Sequence, residues 1–241
     1  ELIMTKKQII FSIMAFFAAL ILTLIVTFPL SAVASKVIAD TVTKNNIDLR
    51  YDKIDISFFG ATASNIQTGP LVIKTAVLDY NPIGLLFKRI SFKADSPAFV
   101  LTGRLSGSSL NADIKASVAG IAQITGMTGS GTINSKIEYN IKDEKGVINL
   151  ESPNKVSFNH PLMPVAVDSL NGQADINKNK LTIKNLSAKG ANSLNVTGYI
   201  DLNKQKIDTS VLNINGEATM GSYPLKFALQ GPARAPKFSI K

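Results

Sequence analysis

Hydrophobic positions follow two distinct patterns along the chain. Ile9 to Leu30 is an unbroken block of 22 uncharged residues, interrupted only by Ser12, Thr23, Thr27 and Pro29. As a helix it would rise roughly 33 Å, which matches a hydrocarbon core of about 30 Å. Its apolar residues (Ile9, Phe11, Phe16, Phe17, Leu20, Leu22, Leu24, Val26 and Phe28 among them) lie on every helical face, so the segment is suited to lipid. The pattern predicts a transmembrane helix over 9–30. Residues 31–46 keep helical spacing at Val33, Val37, Ile38 and Val42, and Asn45-Asn46 suits a helix stop. They read as a helical stalk.

A cleaved secretory signal competes with the anchor, with Lys6 and Lys7 as its basic start and Ala32-Val33-Ala34 as a small-residue cleavage site. The apolar run exceeds the roughly 7–15 residues of such a signal, which favours the anchor. Either reading exports the rest of the chain. Lys36 and Lys44 balance Lys6 and Lys7 locally, but long domains translocate largely regardless of charge. Residues 1–8 are therefore expected in the cytoplasm, with Lys6 and Lys7 as the topology charges.

From Ile47 the period changes to two. Ile137, Tyr139 and Ile141 alternate with Lys136, Glu138, Asn140 and Lys142, as in a strand with one buried and one wet face. Asp143 to Gly146 makes a turn into Val147–Leu150. Similar runs occur at Leu49–Phe59, Leu71–Tyr80, Phe99–Leu105, Leu110–Val118, Leu181–Leu186, Leu194–Leu202 and Leu225–Leu229. Short helices are expected only at Pro82–Lys88 and Gly120–Met127. The fold class is mainly β: residues 47–241 form an antiparallel meander, curved into a groove or partly closed. Ile137, Tyr139, Ile141, Leu181, Ile183, Leu194 and Val196 are the candidates for its apolar face.

A hairpin repeats at an offset of 26: Leu170-Asn-Gly172 through Leu181 aligns with Val196-Thr-Gly198 through Ile207. Each copy reads as a strand entered after glycine, an Asn-Lys-x-Lys turn and a return strand. Fainter echoes occur at Gly103 and Gly216. Repeated hairpins bury an apolar face only against neighbours, so a stacked or curled sheet follows. Its apolar face needs a second layer, a helix or lipid.

Composition narrows the chemistry. The chain has no cysteine and no tryptophan, one histidine, and 26 Lys+Arg against 17 Asp+Glu. Disulfides, thiolate metal sites and a Cys nucleophile are excluded, and no catalytic, cofactor-binding or metal-ligating constellation is found. His160, beside Pro161, reads as a loop histidine. Arginine occurs only at Arg50, Arg89, Arg104 and Arg234, without the clustering expected of a nucleic-acid reader. The lysines suit solubility and protected sheet edges, or else attraction to an anionic membrane surface.

Three stretches carry a resemblance. Thr27-Phe-Pro-Leu-Ser-Ala-Val-Ala-Ser35, Leu71–Leu105 with its Asn81-Pro-Ile-Gly-Leu-Leu-Phe87, and Pro224 to Phe238 with Gly231-Pro-Ala-Arg-Ala-Pro236 resemble type II secretion system protein N (the GspN family) and the wider AsmA-like group. Their motifs are glycine and apolar spacing rather than catalytic signatures. The resemblance implies a non-enzymatic, single-pass protein of the bacterial inner membrane, N-terminus cytoplasmic and bulk periplasmic. The secretion branch implies envelope or secretion-system proteins as partners in protein export. The AsmA-like alternative implies a lipid-binding or lipid-transfer module, with phospholipid as partner.

Overall fold

The structure, a computed structural model, describes residues 49–124, 128–160, 163–190, 192–203, 209–220 and 223–240. The expected tail, membrane helix and stalk (1–46), and with them Lys6, Lys7 and every anchor residue named above, lie outside the described residues. Among the described residues no helix is long and apolar enough to cross a membrane.

Among the described residues fourteen strands form one antiparallel sheet in almost unbroken chain order. They are β1 (Lys53–Ser57), β2 (Gly60–Thr68), β3 (Leu71–Asp79), β4 (Arg89–Asp95), β5 (Phe99–Ser106), β6 (Ser109–Ser117), β8 (Thr132–Asn140), β9 (Lys145–Glu151), β12 (Ser169–Asn177), β13 (Lys180–Lys189), β14 (Asn192–Asp201), β15 (Val211–Met220), β16 (Tyr223–Pro232) and β17 (Lys237–Ile240). The numbers skipped belong to a second sheet ordered β11-β10-β7, with β7 (Thr128–Ser130), β10 (Val156–His160) and β11 (Met163–Val167). Among the described residues there are also two short helices, α1 (Pro82–Leu86) and α2 (Val118–Ile124).

The large sheet is open. Among the described residues β1 pairs only with β2 and β17 only with β16, so each is an edge. At one end of the strands the turns are stitched in series by backbone bonds. Tyr80 N–H donates to Phe59 O at 3.0 Å, Gly107 N–H to Lys88 O at 3.2 Å, Ile141 N–H to Ser108 O at 2.8 Å and Lys178 N–H to Glu144 O at 2.7 Å. Leu202 N–H donates to Asn179 O at 2.6 Å, and Ala233 N–H to Ser210 O at 2.7 Å. At this end the polar groups of each turn therefore find their partners in the next.

The opposite end holds the insertions that make the second sheet. α2 and β7 interrupt the path from β6 to β8, and β10 and β11 interrupt that from β9 to β12. Val118, Val156 and Val167 from these insertions close on Ala188 of β13, with Ile133, Phe158, Leu170 and Leu194 packed around them. This is the one place where a second layer covers the large sheet among the described residues.

Several strands differ from expectation. β2, with the sequence Gly-Ala-Thr-Ala-Ser-Asn-Ile-Gln-Thr, has small residues where alternation would need large ones, and it was not anticipated. β7, β10, β11 and β17 are three to five residues long, too short for a period to show. His160 is not in a loop; it ends β10, opposite Met163. Val118 leaves the predicted strand to begin α2, its N–H bonded to Gly131 O at 3.1 Å.

The repeat is also corrected. Gly172 and Gly198 lie within β12 and β14 rather than before them. The second copy returns only at Val211; just before it, Asn203 donates its backbone N–H to Ser210 Oγ at 3.0 Å and its side-chain amide to Thr209 Oγ1 at 2.9 Å.

Candidate functional site

Register decides what each sheet face presents. From β4 across to β17, residues paired on one face are apolar or glycine along the strand centres, with Ser135 and the hydroxyl of Tyr139 the polar exceptions. Phe92 faces Gly103, Leu101 faces Ile114, Ala112 faces Ile137, and Ile137 faces Ile148. The same face continues through Ala174–Ile183, Leu186–Val196, Ile200–Leu212, Ile214–Leu229 and Leu229–Phe238. A bulge between Ile183 and Leu186 keeps both residues on this face across an odd step. At about 4.8 Å per strand, the apolar band runs roughly 50 Å across the sheet.

Of the predicted face residues, Ile137 and Tyr139 stand on β8, Leu181 and Ile183 on β13, and Leu194 and Val196 on β14, all on this one face. Ile141 does not. It sits in the turn after β8, exposed, where Asn140 Oδ1 caps the next amides and ends the strand.

Four cross-strand pairs on this face set a glycine under a bulky partner. A Cβ on Gly103 would meet Phe92 Cζ at 2.2 Å, and one on Gly216 would meet Phe227 Cζ at the same distance. Gly146 lies under Tyr139, with Cδ2 at 2.8 Å, and Gly172 under Leu186, with Cδ1 at 2.9 Å. Each glycine lets its partner lie flat across the sheet instead of standing away from it. Gly172 of the repeat and the echoes at Gly103 and Gly216 have this shared cause, whereas a Cβ on Gly198 would meet backbone, Asn213 O at 2.3 Å.

The face is barely covered. The buried apolar residues are alanine and valine throughout: Ala98, Ala112, Val118, Ala122, Val156, Val167, Ala188, Val196 and Ala228. No leucine, isoleucine or phenylalanine joins them among the described residues, although these types are normally among the most buried. Among the described residues the apolar side chains shield each other but have a second layer only around Val118 (0% exposed).

The reverse face is polar. Cross-strand ion pairs Lys184–Asp175 (2.7 Å) and Lys226–Glu217 (3.0 Å) lie along it. A hollow of about 720 Å³ opens over its middle strands, lined by Asp113, Lys115, Asn134, Lys136, Asn149, Glu151, Asn171 and Gln173. A third distinct feature lies at the stitched end, where the β1–β2 turn and α1 enclose a cavity of about 730 Å³ lined by Phe59, Tyr80, Ile83, Phe87, Arg89 and Arg104. Among the described residues no three His, Asp or Glu side chains gather closely enough to hold a metal ion. Sequence reasoning placed no residue at the third feature, although Asn81-Pro-Ile-Gly-Leu-Leu-Phe87 signalled its helix.

No family model, curated protein or solved structure matches the chain.

Proposed function

We propose that this chain is a non-enzymatic lipid-binding module whose apolar sheet face takes up the acyl chains of phospholipid. The observation that carries this is the wide apolar face without one buried leucine, isoleucine or phenylalanine among the described residues. Such a surface in water costs about 25 cal/mol per Å² and calls for an apolar cover. Protein partners generally meet an interface with a hydrogen bond every 100–200 Å² or so. This face offers almost none along its strand centres, which suits hydrocarbon better than a protein. The fit accords with the resemblance to AsmA-like proteins. An anchor over residues 9–30 would hold the module at a bacterial inner membrane, with the sheet in the periplasm.

A second reading makes the chain a subunit of an envelope machine, most like type II secretion system protein N, with other secretion proteins as partners. One observation favours it: β17 is an open edge, exposed along its whole length, whose Phe238 and Ile240 a partner's strand would cover.

Native mass spectrometry of the detergent-solubilised chain tests both. The first reading expects bound phospholipid that is reduced by Ile137→Glu together with Ile148→Glu, while circular dichroism keeps its β signature. Co-purifying envelope protein without lipid would favour the second, and finding neither would remove both.

A further inference from the structure

The stitched end of the sheet carries a cluster that the apolar face does not explain. Phe59 is 67% exposed, Ile83 69%, Leu86 81% and Phe87 63%. Phe58 stacks edge-on to Phe59 at 5.6 Å between centroids. These residues come from two separate elements, the β1–β2 turn and α1 with the residue that follows it. The cavity brings Phe59, Ile83 and Phe87 into one patch, with Phe58 against Phe59 and Leu86 next to Phe87 in the chain. Both elements are well held. Tyr80 binds Phe59 O through its N–H and Ser57 O through its hydroxyl, each at 3.0 Å, and the Asn81 side chain caps α1 by accepting from Gly84 N–H. The apolar side chains are thus presented on fixed backbone.

Cations surround the patch. Lys88 and Arg89 follow α1 directly, both exposed, and the Arg89 guanidinium lies 5.9 Å from the centre of the Phe87 ring. Arg104 and Arg89 line the same cavity, with Asp79 the single carboxylate there. Exposed aromatic and aliphatic tips ringed by Lys and Arg have the composition of a surface that sits at a lipid interface: rings and aliphatics enter the headgroup boundary while cations meet anionic headgroups.

We infer that this knuckle, formed by Phe58, Phe59, Ile83, Leu86 and Phe87 with Lys88, Arg89 and Arg104 at its rim, docks the stitched end of the sheet onto an anionic bilayer surface. The chain enters β1 from the opposite end of the strands, since β1 runs from Lys53 towards the turn at Phe58. The knuckle is therefore a contact separate from any anchor preceding the sheet. It does not depend on the apolar face binding lipid.

Because the chain has no tryptophan, one can be installed as a unique reporter. Leu86→Trp in the full chain is reconstituted into vesicles of phosphatidylcholine, with or without phosphatidylglycerol, with brominated lipid as quencher. Lys155→Trp, at the other end of the strands, is the control. With phosphatidylglycerol, the reporter at 86 is expected to emit to the blue and be quenched several-fold more than that at 155. Adding Lys88→Glu and Arg89→Glu, both on exposed side chains, should remove most of that difference. Water-like emission at 86, or quenching no greater than at 155, overturns the inference. So does blue-shifted emission that brominated lipid leaves unquenched, which would mean that protein covers the knuckle.

Discussion

Glycine in this sheet serves two different contacts, and substitution separates them. A Cβ on Gly120 would lie 2.2 Å from Pro97 O and 2.6 Å from Ala98 Cα, both backbone atoms that cannot move without shifting the β4–β5 connection. The atoms nearest a Cβ on Gly103 belong to the tip of the Phe92 ring, which can swing away from the sheet. Alanine is intrinsically favoured over glycine in a helix by about 1 kcal/mol, so a net loss at position 120, within α2, reports the collision directly. Gly120→Ala should cost about 2 kcal/mol or more in urea denaturation, and Gly103→Ala about 1 kcal/mol. Equal losses at both positions would mean that the ring is as fixed as the backbone.

Surface charge at the residue scale contributes little. Lys226 and Glu217 pair across β15 and β16 with most of both side chains in water. Lys226→Ala should change stability by less than about 0.5 kcal/mol, because exposed pairs are screened and lose side-chain freedom when they form. A loss above 1 kcal/mol in the same denaturation measurement would point to a role beyond this pair.

Among elements, the insertion formed by α2, β7, β10 and β11 makes the contrast between covered and uncovered sheet measurable. Val118, the first residue of α2, is fully buried between the insertion and the sheet, whereas Ile137 stands half-buried on the sheet's open stretch. Removing buried methyl groups costs their transfer energy and leaves a cavity, while a side chain already partly in water forfeits less. Val118→Ala should therefore destabilise by about 2 kcal/mol and Ile137→Ala by about 1 kcal/mol, although the isoleucine loses more atoms. The reverse order would show that the open stretch is covered in the protein as purified.

The elements also show what a sequence makes legible. Strands with large alternating residues, such as 136–140, 110–117 and 194–201, could be read because period two needs only local spacing. β2 could not, since Ala61 and Ala63 occupy the inward positions without the contrast that alternation needs. β10 and β11 were hidden by Pro161 and Pro164, which mark a turn more strongly than the short runs beside them mark strands. The one-faced distribution of apolar residues was written in the chain, but the lack of cover was not. Burial depends on which other element lies across the face, and no local pattern encodes that. The knuckle escaped for a similar reason: Phe58, Phe59 and Phe87 look like core until the turn and α1 place them at the end of the sheet.

At the scale of the whole molecule, an open meander differs from a closed barrel in having ends. Each strand of the large sheet pairs only with its neighbours in the row, and the insertion braces the region around β8, β12, β13 and β14, with α2 reaching the β4–β5 connection at Pro97 and Ala98. Stability should then be graded rather than uniform, because local opening at an edge strand breaks one ladder while opening the middle breaks two and exposes Val118 and its neighbours. Amide hydrogen exchange is expected to be fastest in β1 and β17 and slowest in β8, β12 and β13. Bound phospholipid would raise protection mainly along the uncovered strands, since a ligand stabilises only the form that holds it. Protection as high in β1 and β17 as in β13 would mean that the two edges are paired in solution, with each other or with a partner's strand. An unchanged profile after lipid removal would separate the apolar face from any lipid function.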